Sequence, residues 1–195
     1  MNHLSGYITA FTLAALLSAG AACPVSAAEK VTKNTAAWVM EEQREREAAA
    51  QAAAEEAAAA EAAEEAAAEA AAEEAERRQA VVDYALSFVG GRYVYGGTDP
   101  HSGVDCSGFT RYILSNAAGV SVGRTSRDQA CEGTTISAGE MQPGDLLFYG
   151  SGSYVSHVAM YIGNGQIVHA STERTGIKVS NWDYKAPLRI ASFLG

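Results

Sequence analysis

The feature that most constrains the fold is a run over residues 36–79 that contains no glycine or proline. It consists almost entirely of alanine, glutamate, glutamine and arginine, which are the strongest intrinsic helix formers. The sequence therefore predicts one long helix, which at 1.5 Å per residue would extend roughly 65 Å. From residue 41 onward its apolar positions are alanines, which are too small to hold a coiled coil together. We expect a solvated, monomeric spacer.

The net charge of −9 comes from this run. Residues 41–78 hold 13 Glu and 4 Arg, whereas residues 81–195 hold 9 acidic and 8 basic residues. The C-terminal part is therefore nearly neutral and lacks the basic stripe that nucleic-acid binding requires, so we expect no nucleic-acid partner. Its length of about 115 residues suits a single domain with its own hydrophobic core. The composition divides the chain into residues 1–27, 28–79 and 80–195.

The N-terminal residues have the pattern of a signal peptide. Residues 4–22 are mostly small or apolar, and Val25-Ser26-Ala27 places small residues where signal peptidase cleaves. We therefore expect residues 1–27 to be a signal peptide of a secreted protein, with membrane contact only through the uncleaved signal. Cys23 raises the question of lipidation. The preceding Gly20-Ala21-Ala22 lacks the leucine that a lipoprotein signal prefers, so we expect none.

One cysteine stands where a glycine-containing loop meets an amphipathic helix. In Gly103-Val104-Asp105-Cys106-Ser107-Gly108-Phe109, the cysteine precedes apolar residues at helical spacing, and Gly119 is a suitable C-cap. Free N–H groups and the helix dipole stabilise a thiolate at a helix N-terminus, so we expect a lowered pKa for Cys106 and a role as nucleophile. A buried structural cysteine is the alternative. Cys131 is expected to be free, since a disulfide would consume the nucleophile.

The C-terminal part of the domain is predicted to form strands. Segments rich in apolar and β-branched residues predict strands at residues 146–149, 156–162, 167–171, 177–180 and 188–193. Because the helices come first and an antiparallel sheet follows, the fold class is α+β.

Two histidines occupy neighbouring predicted strands. A three-residue Gly163-Asn164-Gly165 loop would set His169 opposite Ala159 and place both imidazoles on one face, whereas a two-residue turn would separate them unless a bulge intervenes. A single histidine in a strand is more often a residue packed in the core or at a sheet edge. Together with Cys106, however, the two histidines complete a set of nucleophile, base and orienting group, in the order Cys106, His157 and His169. The spacing of Cys and His fits no metal-binding motif, and no phosphate-binding glycine loop occurs, so we expect no metal and no cofactor.

The domain resembles the NlpC-type cell-wall endopeptidases. The resemblance rests on six motifs that run in order through residues 80–193: Tyr93-Val94-Tyr95-Gly96-Gly97, Asp105-Cys106-Ser107-Gly108-Phe109, Arg124-Thr125-Ser126, Gln142-Pro143-Gly144-Asp145-Leu146, His157-Val158-Ala159-Met160-Tyr161-Ile162-Gly163 and Val168-His169-Ala170. It implies a papain-like α+β fold and hydrolysis of a peptidoglycan stem peptide, typically between D-γ-glutamate and a diamino acid such as meso-diaminopimelate. It also implies a protein that is extracellular or associated with the cell wall.

The resemblance assigns roles residue by residue. It makes Cys106 the nucleophile, His157 the general base and His169 the orienting residue. It places the Tyr93 hydroxyl near the nucleophile and the oxyanion. It also implies that Asp105 and Ser107 help to hold the amine end of the substrate. The same Cys/His site would also serve a cell-wall amidase or an acyltransferase. A non-catalytic wall-binding surface protein is the remaining alternative, although such a protein has no need of all three catalytic residues.

Overall fold

The computed structural model describes the backbone of residues 25–194 and the side chains of residues 35–194. Residues 1–24, which hold most of the predicted signal peptide and Cys23, lie outside the described residues. The chain divides into two compact units, Met1–Glu61 and Ala62–Gly195. Within the described part of the chain, no helix has the length and apolar character needed to cross a membrane.

The alanine- and glutamate-rich run is helical throughout, as predicted. It belongs to helix α1, Val25–Leu86, which continues past the predicted boundary at residue 80. Nearly all its side chains over residues 35–77 are exposed, and Glu42–Arg46 and Glu74–Arg78 form ion pairs between successive turns. The observed helix and its exposure support a solvated spacer. Its monomeric state remains a prediction.

A peptide of residues 41–79 is expected to be helical by circular dichroism and monomeric in sedimentation, because its alanines offer no hydrophobic seam. Just before it, the exposed Trp38, Val39 and Met40 occupy consecutive positions. Such positions are about 100° apart around a helix, so these side chains also form no seam. A peptide extended to residue 36 should therefore stay monomeric too. A dimer that forms with rising concentration would contradict the spacer interpretation.

The last turns of α1 belong to the core of the second unit. Val81, Val82 and Ala85 are fully or almost fully buried. Val89 continues the same apolar spacing in the sequence, but it is 46% exposed. The reason is that α1 ends at Leu86, so the following turn carries Val89 off the helical face.

The second unit contains a six-stranded antiparallel sheet, in the order β3-β8-β4-β5-β6-β7. The strands are β3 Thr134–Thr135, β4 Leu146–Ser151, β5 Tyr154–Gly163, β6 Gln166–Thr172, β7 Gly176–Asn181 and β8 Arg189–Ser192. The predicted α+β class is confirmed, and all five predicted strands are present. The two-residue strand β3 was missed because Thr134 and Thr135 are exposed and carry no alternating pattern.

Helix α2, Cys106–Ala118, packs on one face of this sheet. Its buried Phe109, Ile113 and Leu114 join the cluster that contains Val158 and Met160 of β5. A short ribbon of β1, Thr98–Asp99, and β2, Gly103–Val104, brings the chain to the first residue of α2. The helix ends at Gly119, whose φ of 68° lies in the left-handed region, as predicted for a C-cap.

The β5–β6 hairpin places both histidines on one face of the sheet because β5 contains a bulge. Gly163 pairs with Gln166, so the turn has two residues, Asn164 and Gly165, and both have positive φ. The three-residue loop that we preferred is therefore wrong. A register shift between Tyr161 and Gly163 leaves Ile162 as an extra residue, and this bulge restores the facing that the three-residue loop would have given.

Candidate active site

The thiol of Cys106 sits in the first turn of α2. Asp105 is the N-cap, and its Oδ1 accepts a hydrogen bond of 2.7 Å from the Gly108 N–H. The turn also packs closely against the loop before it, since a Cβ at Gly108 would lie 2.3 Å from the Gly97 carbonyl oxygen. Glycine at this position therefore lets the helix start approach the loop. Cys106 is 8% exposed as a result.

Burial dominates the electrostatics of this thiol. Desolvation raises the pKa of Cys106 above its ordinary value, and the Asp105 carboxylate adds to the effect. The backbone N–H groups of Val158, Ser107 and Cys106 act in the opposite direction but do not prevail. Our expectation of a lowered pKa was therefore wrong: the helix N-terminus is present, yet burial outweighs it. The resting site holds a neutral thiol.

The two imidazoles form a hydrogen-bonded chain. His157 Nε2 lies 2.7 Å from His169 Nδ1, and His169 Nε2 lies 3.0 Å from the Ser180 hydroxyl on β7. Burial lowers the pKa of His157 to about 4. Burial, the charge of His157 and the charge of Lys178 lower the pKa of His169 to about 3. Both rings are therefore neutral near pH 7.

The thiol lies beside β5, the strand that carries the base. The thiol of Cys106 faces the backbone N–H of Val158, the residue that follows His157. Within residues 35–194, the hydrogen bonds of the two imidazoles go to each other and to Ser180, and none goes to the thiol. Since Nε2 of His157 is occupied by His169, Nδ1 is the ring nitrogen left to accept the thiol proton. Contact between that nitrogen and the sulfur remains a prediction.

Asp105 is held by an arginine that we did not single out. Arg124 donates to both carboxylate oxygens at 3.0 and 2.8 Å, and also to Ser107 Oγ at 3.2 Å. This ion pair and the backbone N–H groups of Gly108 and Gly96 outweigh desolvation, so the pKa of Asp105 is lowered. Because Arg124 compensates its charge, Asp105 attracts a substrate amine less strongly than a free carboxylate. The predicted substrate role of Asp105 and Ser107 is not tested by these contacts.

A cavity of about 610 Å³ opens above the thiol. Tyr93, Asp105, Cys106 and Ser107 all line it, so these four predicted site residues share one cavity. Burial raises the pKa of Tyr93, and the Cys106 thiol, once it is deprotonated, and the Asp105 carboxylate raise it further. A side chain so shifted keeps its hydroxyl proton at neutral pH and can donate a hydrogen bond. Tyr95 also lines the cavity and is 85% exposed, which excludes core packing for that residue.

Cys106 and Cys131 are both free, as predicted. Among the residues that the structure describes, no group of three His, Cys, Asp or Glu side chains is placed to hold a metal ion. The nucleophile and hydrogen-bond donors line one cavity, whereas the proton acceptor His157 and its orienting partner His169 lie on β5 and β6 and are not part of that lining. The arrangement is suited to acyl transfer.

Comparison with known proteins decides the family. A model of the NlpC/P60 family matches residues 90–189, about half of the 195 residues. The chain belongs to the NlpC/P60 family. The crystal structure of the NlpC/p60 domain of the peptidoglycan hydrolase SagA matches at TM-score 0.55 and 40% identity, covering 60% of this chain and 98% of that domain. The predicted resemblance and the papain-like fold are therefore confirmed.

Two curated relatives match the same NlpC/P60 region. The probable endopeptidase p60 of Listeria innocua is 41% identical over 102 residues, which are 52% of this chain and 21% of p60. The gamma-DL-glutamyl hydrolase of Bacillus subtilis is 36% identical over 108 residues, which are 53% of this chain and 26% of the hydrolase. The chain thus spans about a quarter or less of the length of these relatives.

Sequence reasoning missed three polar residues of the NlpC/P60 site. Arg124 lies in a motif quoted for the resemblance, but only the fold reveals its partner, because 19 residues separate it from Asp105. Ser180 lies on a strand whose register with His169 could not be predicted. Gln129 is fully buried and joins α2 to the loop before the short helix α3, Ser126–Gln129, by bonds to the Ser107 and Gly123 carbonyls.

Proposed function

We propose that this NlpC/P60 protein is a secreted cysteine peptidase that hydrolyses peptidoglycan stem peptides at the bond between D-γ-glutamate and a diamino acid. The observation that carries the proposal is the hydrogen-bonded pair of His157 on β5 and His169 on β6, together with a thiol in the first turn of α2 that faces the backbone of the residue after His157. The names of the relatives support the substrate class, since one is called a peptidoglycan hydrolase and another a gamma-DL-glutamyl hydrolase. The signal-like N-terminal sequence supports secretion.

The proposed reaction begins from neutral groups. Because the pKa of the thiol is raised and that of His157 is lowered, the two do not form an ion pair at rest. His157 therefore takes the thiol proton as the sulfur attacks the γ-carbonyl carbon. The new C–S bond gives a tetrahedral intermediate. The backbone N–H of Cys106 and the Tyr93 hydroxyl donate hydrogen bonds to its oxyanion.

Collapse of the intermediate breaks the C–N bond, and His157 gives its proton to the leaving amine. Water then attacks the thioester carbon while His157 accepts a proton from it. The C–S bond breaks, His157 returns that proton to the sulfur, and the acyl group leaves as a carboxylic acid that ionises in solution. His157 must accept these protons at Nδ1, so its Nε2 must carry hydrogen and donate to His169 Nδ1. His169 then carries its own hydrogen on Nε2 and donates it to Ser180. The chain of hydrogen bonds thus fixes both tautomers.

Defined peptides test the proposed bond. The protein is expected to cleave L-Ala-D-γ-Glu-L-Lys-D-Ala and to leave intact the isomer in which glutamate is linked through its α-carboxyl group. A lactyl-L-Ala substrate and an added amine acceptor separate the alternatives. Cleavage only at the lactyl bond would indicate an amidase, and products joined to the acceptor would indicate an acyltransferase. Either result would contradict the proposal.

The rate of peptide hydrolysis is expected to fall only at a pH well below the usual pKa of histidine. A neutral His157 is required, so kcat/KM on the γ-linked peptide is expected to fall as the pH drops through about 4. Buried Tyr149 lies beside the His157 ring, Tyr184, which is 52% exposed, lies beside the His169 ring, and Lys178 repels a proton on His169. An acid limb near 6.5 would contradict this account of the base.

Fold stability must be followed in the same pH series. The pKa values of His157 and His169 are lower in the folded than in the unfolded protein, so the unfolded chain binds more protons between about pH 6.5 and 3. Stability is therefore present above pH 6.5 and declines as the pH falls through this window. Circular dichroism at each pH separates loss of fold from protonation of the base.

Ser180 is expected to be a positioning residue. Ser180→Ala removes the acceptor for His169 Nε2–H and should lower kcat by roughly tenfold, the effect of about one hydrogen bond, with KM unchanged. Ser180→Thr keeps the hydroxyl and should restore most of the rate. An equal loss in both variants, or a change confined to KM, would show that Ser180 does not orient the base.

A further inference from the structure

A second cavity of about 460 Å³ adjoins the one above the thiol. The two cavities share Arg127 and Tyr154 as a common wall. The remaining lining comes mainly from the β4–β5 turn and from the approach to β8, and it includes Ser153, Val155, Leu188 and Arg189. A molecule bound at the thiol could therefore extend into this second cavity.

The charged residues of this lining are both arginines. Arg189 donates to the carbonyl oxygens of Ala130, Glu132 and Gly133. These oxygens accept hydrogen bonds from the guanidinium, but they belong to neutral groups and do not cancel its charge. Its buried Nε atom has no partner. In the described part of the chain, neither Arg127 nor Arg189 lies within ion-pair distance of a carboxylate. The cavity therefore carries positive charge that no direct ion pair neutralises.

The nearest carboxylates in sequence are occupied elsewhere. Asp128 follows Arg127, but its Oδ2 accepts from the Thr125 N–H and hydroxyl in the capping box of α3. Glu132 follows the same helix, and its Oε2 accepts from the Gly123 N–H. Neither carboxylate lines the cavity. The site is thus open to an anion from outside.

Arg127 is arranged to receive such an anion. Its guanidinium carbon lies 5.0 Å from the centre of the Tyr154 ring, and its Nη1 donates to the Tyr154 hydroxyl. These contacts use one of five donors and hold the planar group at the wall between the cavities. The remaining donors match the two oxygens of a carboxylate. Val155 and Leu188 add apolar surface, which suits a small apolar side chain next to that carboxylate.

We propose that this second cavity binds the C-terminal carboxylate of the stem peptide, with an alanyl residue against Val155 and Leu188 and with Arg127 as the specificity-determining group. The inference rests on the proposed function, because it assigns the cavity to the same substrate. A stem peptide with lysine as its diamino acid carries two carboxylates, the α-carboxyl of glutamate and the C-terminal group. Amidating one of them at a time distinguishes them.

The kinetic test compares wild type with Arg127→Gln on three forms of L-Ala-D-γ-Glu-L-Lys-D-Ala. Wild type is expected to show a KM about tenfold higher for the C-terminal amide than for the free acid, and Arg127→Gln should lose this discrimination. Arg174→Gln, an exposed arginine outside both cavities, should keep it. An Arg127-dependent effect on the glutamyl amide alone would overturn the proposed occupant.

A second pair of variants leaves Arg127 in place. Ser153→Glu adds a carboxylate to the cavity wall and should raise KM for the free acid by competing for the arginines, whereas Ser153→Gln, of the same size, should not do so. Equal effects of the two substitutions would mean that bulk, not charge, is responsible, and would contradict an anion site.

Binding to the inactive Cys106→Ala protein distinguishes a failure of the cavity assignment from a failure of the proposed function. Calorimetry should give about tenfold weaker binding for the C-terminal amide, again only when Arg127 is present. If wild type cleaves the peptide but neither KM nor affinity depends on the C-terminal carboxylate, the inference fails and the proposed function stands. If wild type cleaves no form of the peptide, the proposed function fails, and equal affinities for acid and amide would overturn the cavity assignment as well.

Discussion

Cys106→Ala is expected to abolish hydrolysis of the γ-linked peptide while the protein stays folded. Removing the nucleophile of a cysteine or serine hydrolase costs a factor of roughly 10⁴–10⁶ in kcat, because attack on the carbonyl carbon is lost altogether. The substitution deletes only a sulfur at the edge of the core, where the residue is 8% exposed. Steady-state kinetics and thermal unfolding of the same samples measure the two effects.

The other described thiol provides the control for this experiment. Cys131 is exposed and free and lines the second cavity, where serine has nearly the same size, so Cys131→Ser should retain most of the activity. Because the two thiols are not joined, activity should also not depend strictly on added dithiothreitol. Undiminished hydrolysis by Cys106→Ala, or its loss in Cys131→Ser alone, would remove Cys106 from the mechanism.

Arg78→Met is expected to destabilise the catalytic domain by about 3–5 kcal/mol. Arg78 and Asp145 are 5% and 1% exposed, and Arg78 Nη1 donates to Asp145 Oδ1 at 3.1 Å. The same guanidinium also donates to the Pro143 and Leu194 carbonyl oxygens. Removing it leaves a buried carboxylate without its counter-charge. Urea unfolding followed by near-ultraviolet circular dichroism measures the change.

The neighbouring arginine makes a matched control. Arg77 is exposed, so Arg77→Met should change the free energy of unfolding by less than about 0.5 kcal/mol. Asp145→Leu combined with Arg78→Met removes both charges and should recover part of the loss. Equal stability of Arg77→Met and Arg78→Met would show that the buried ion pair does not anchor the end of α1.

The sequence was most informative where local chemistry decides structure. The alanine-rich run had to be a helix, and the apolar residues at helical spacing after Cys106, with Gly119 as C-cap, marked the helix that begins at that cysteine. The shared face of His157 and His169 was predicted correctly, but the loop that produces it was not. A bulge at Ile162 depends on how β5 packs against its neighbours, and no residue type marks it in advance.

The remaining wrong or missing predictions concern interactions between residues that are distant in sequence. The pKa of Cys106 was predicted from the helix dipole, which is local, whereas burial raises this pKa, and burial depends on the whole fold. The partners of Arg78 are likewise distant in sequence, since 67 residues separate it from Asp145 and 116 from Leu194. Arg124 and Asp105 show the same pattern. Pairings of this kind leave no periodic signal.

Digestion of purified peptidoglycan, followed by mass analysis of the released fragments, tests the central claim most directly. Wild type is expected to release fragments that end in D-glutamate with a free γ-carboxyl group and fragments that begin with the free amine of the diamino acid. Cys106→Ala, handled in parallel, should release neither. Wild-type fragments cut at any other bond, or the same fragments from Cys106→Ala, would contradict the assignment of this NlpC/P60 protein as a γ-D-glutamyl cysteine peptidase.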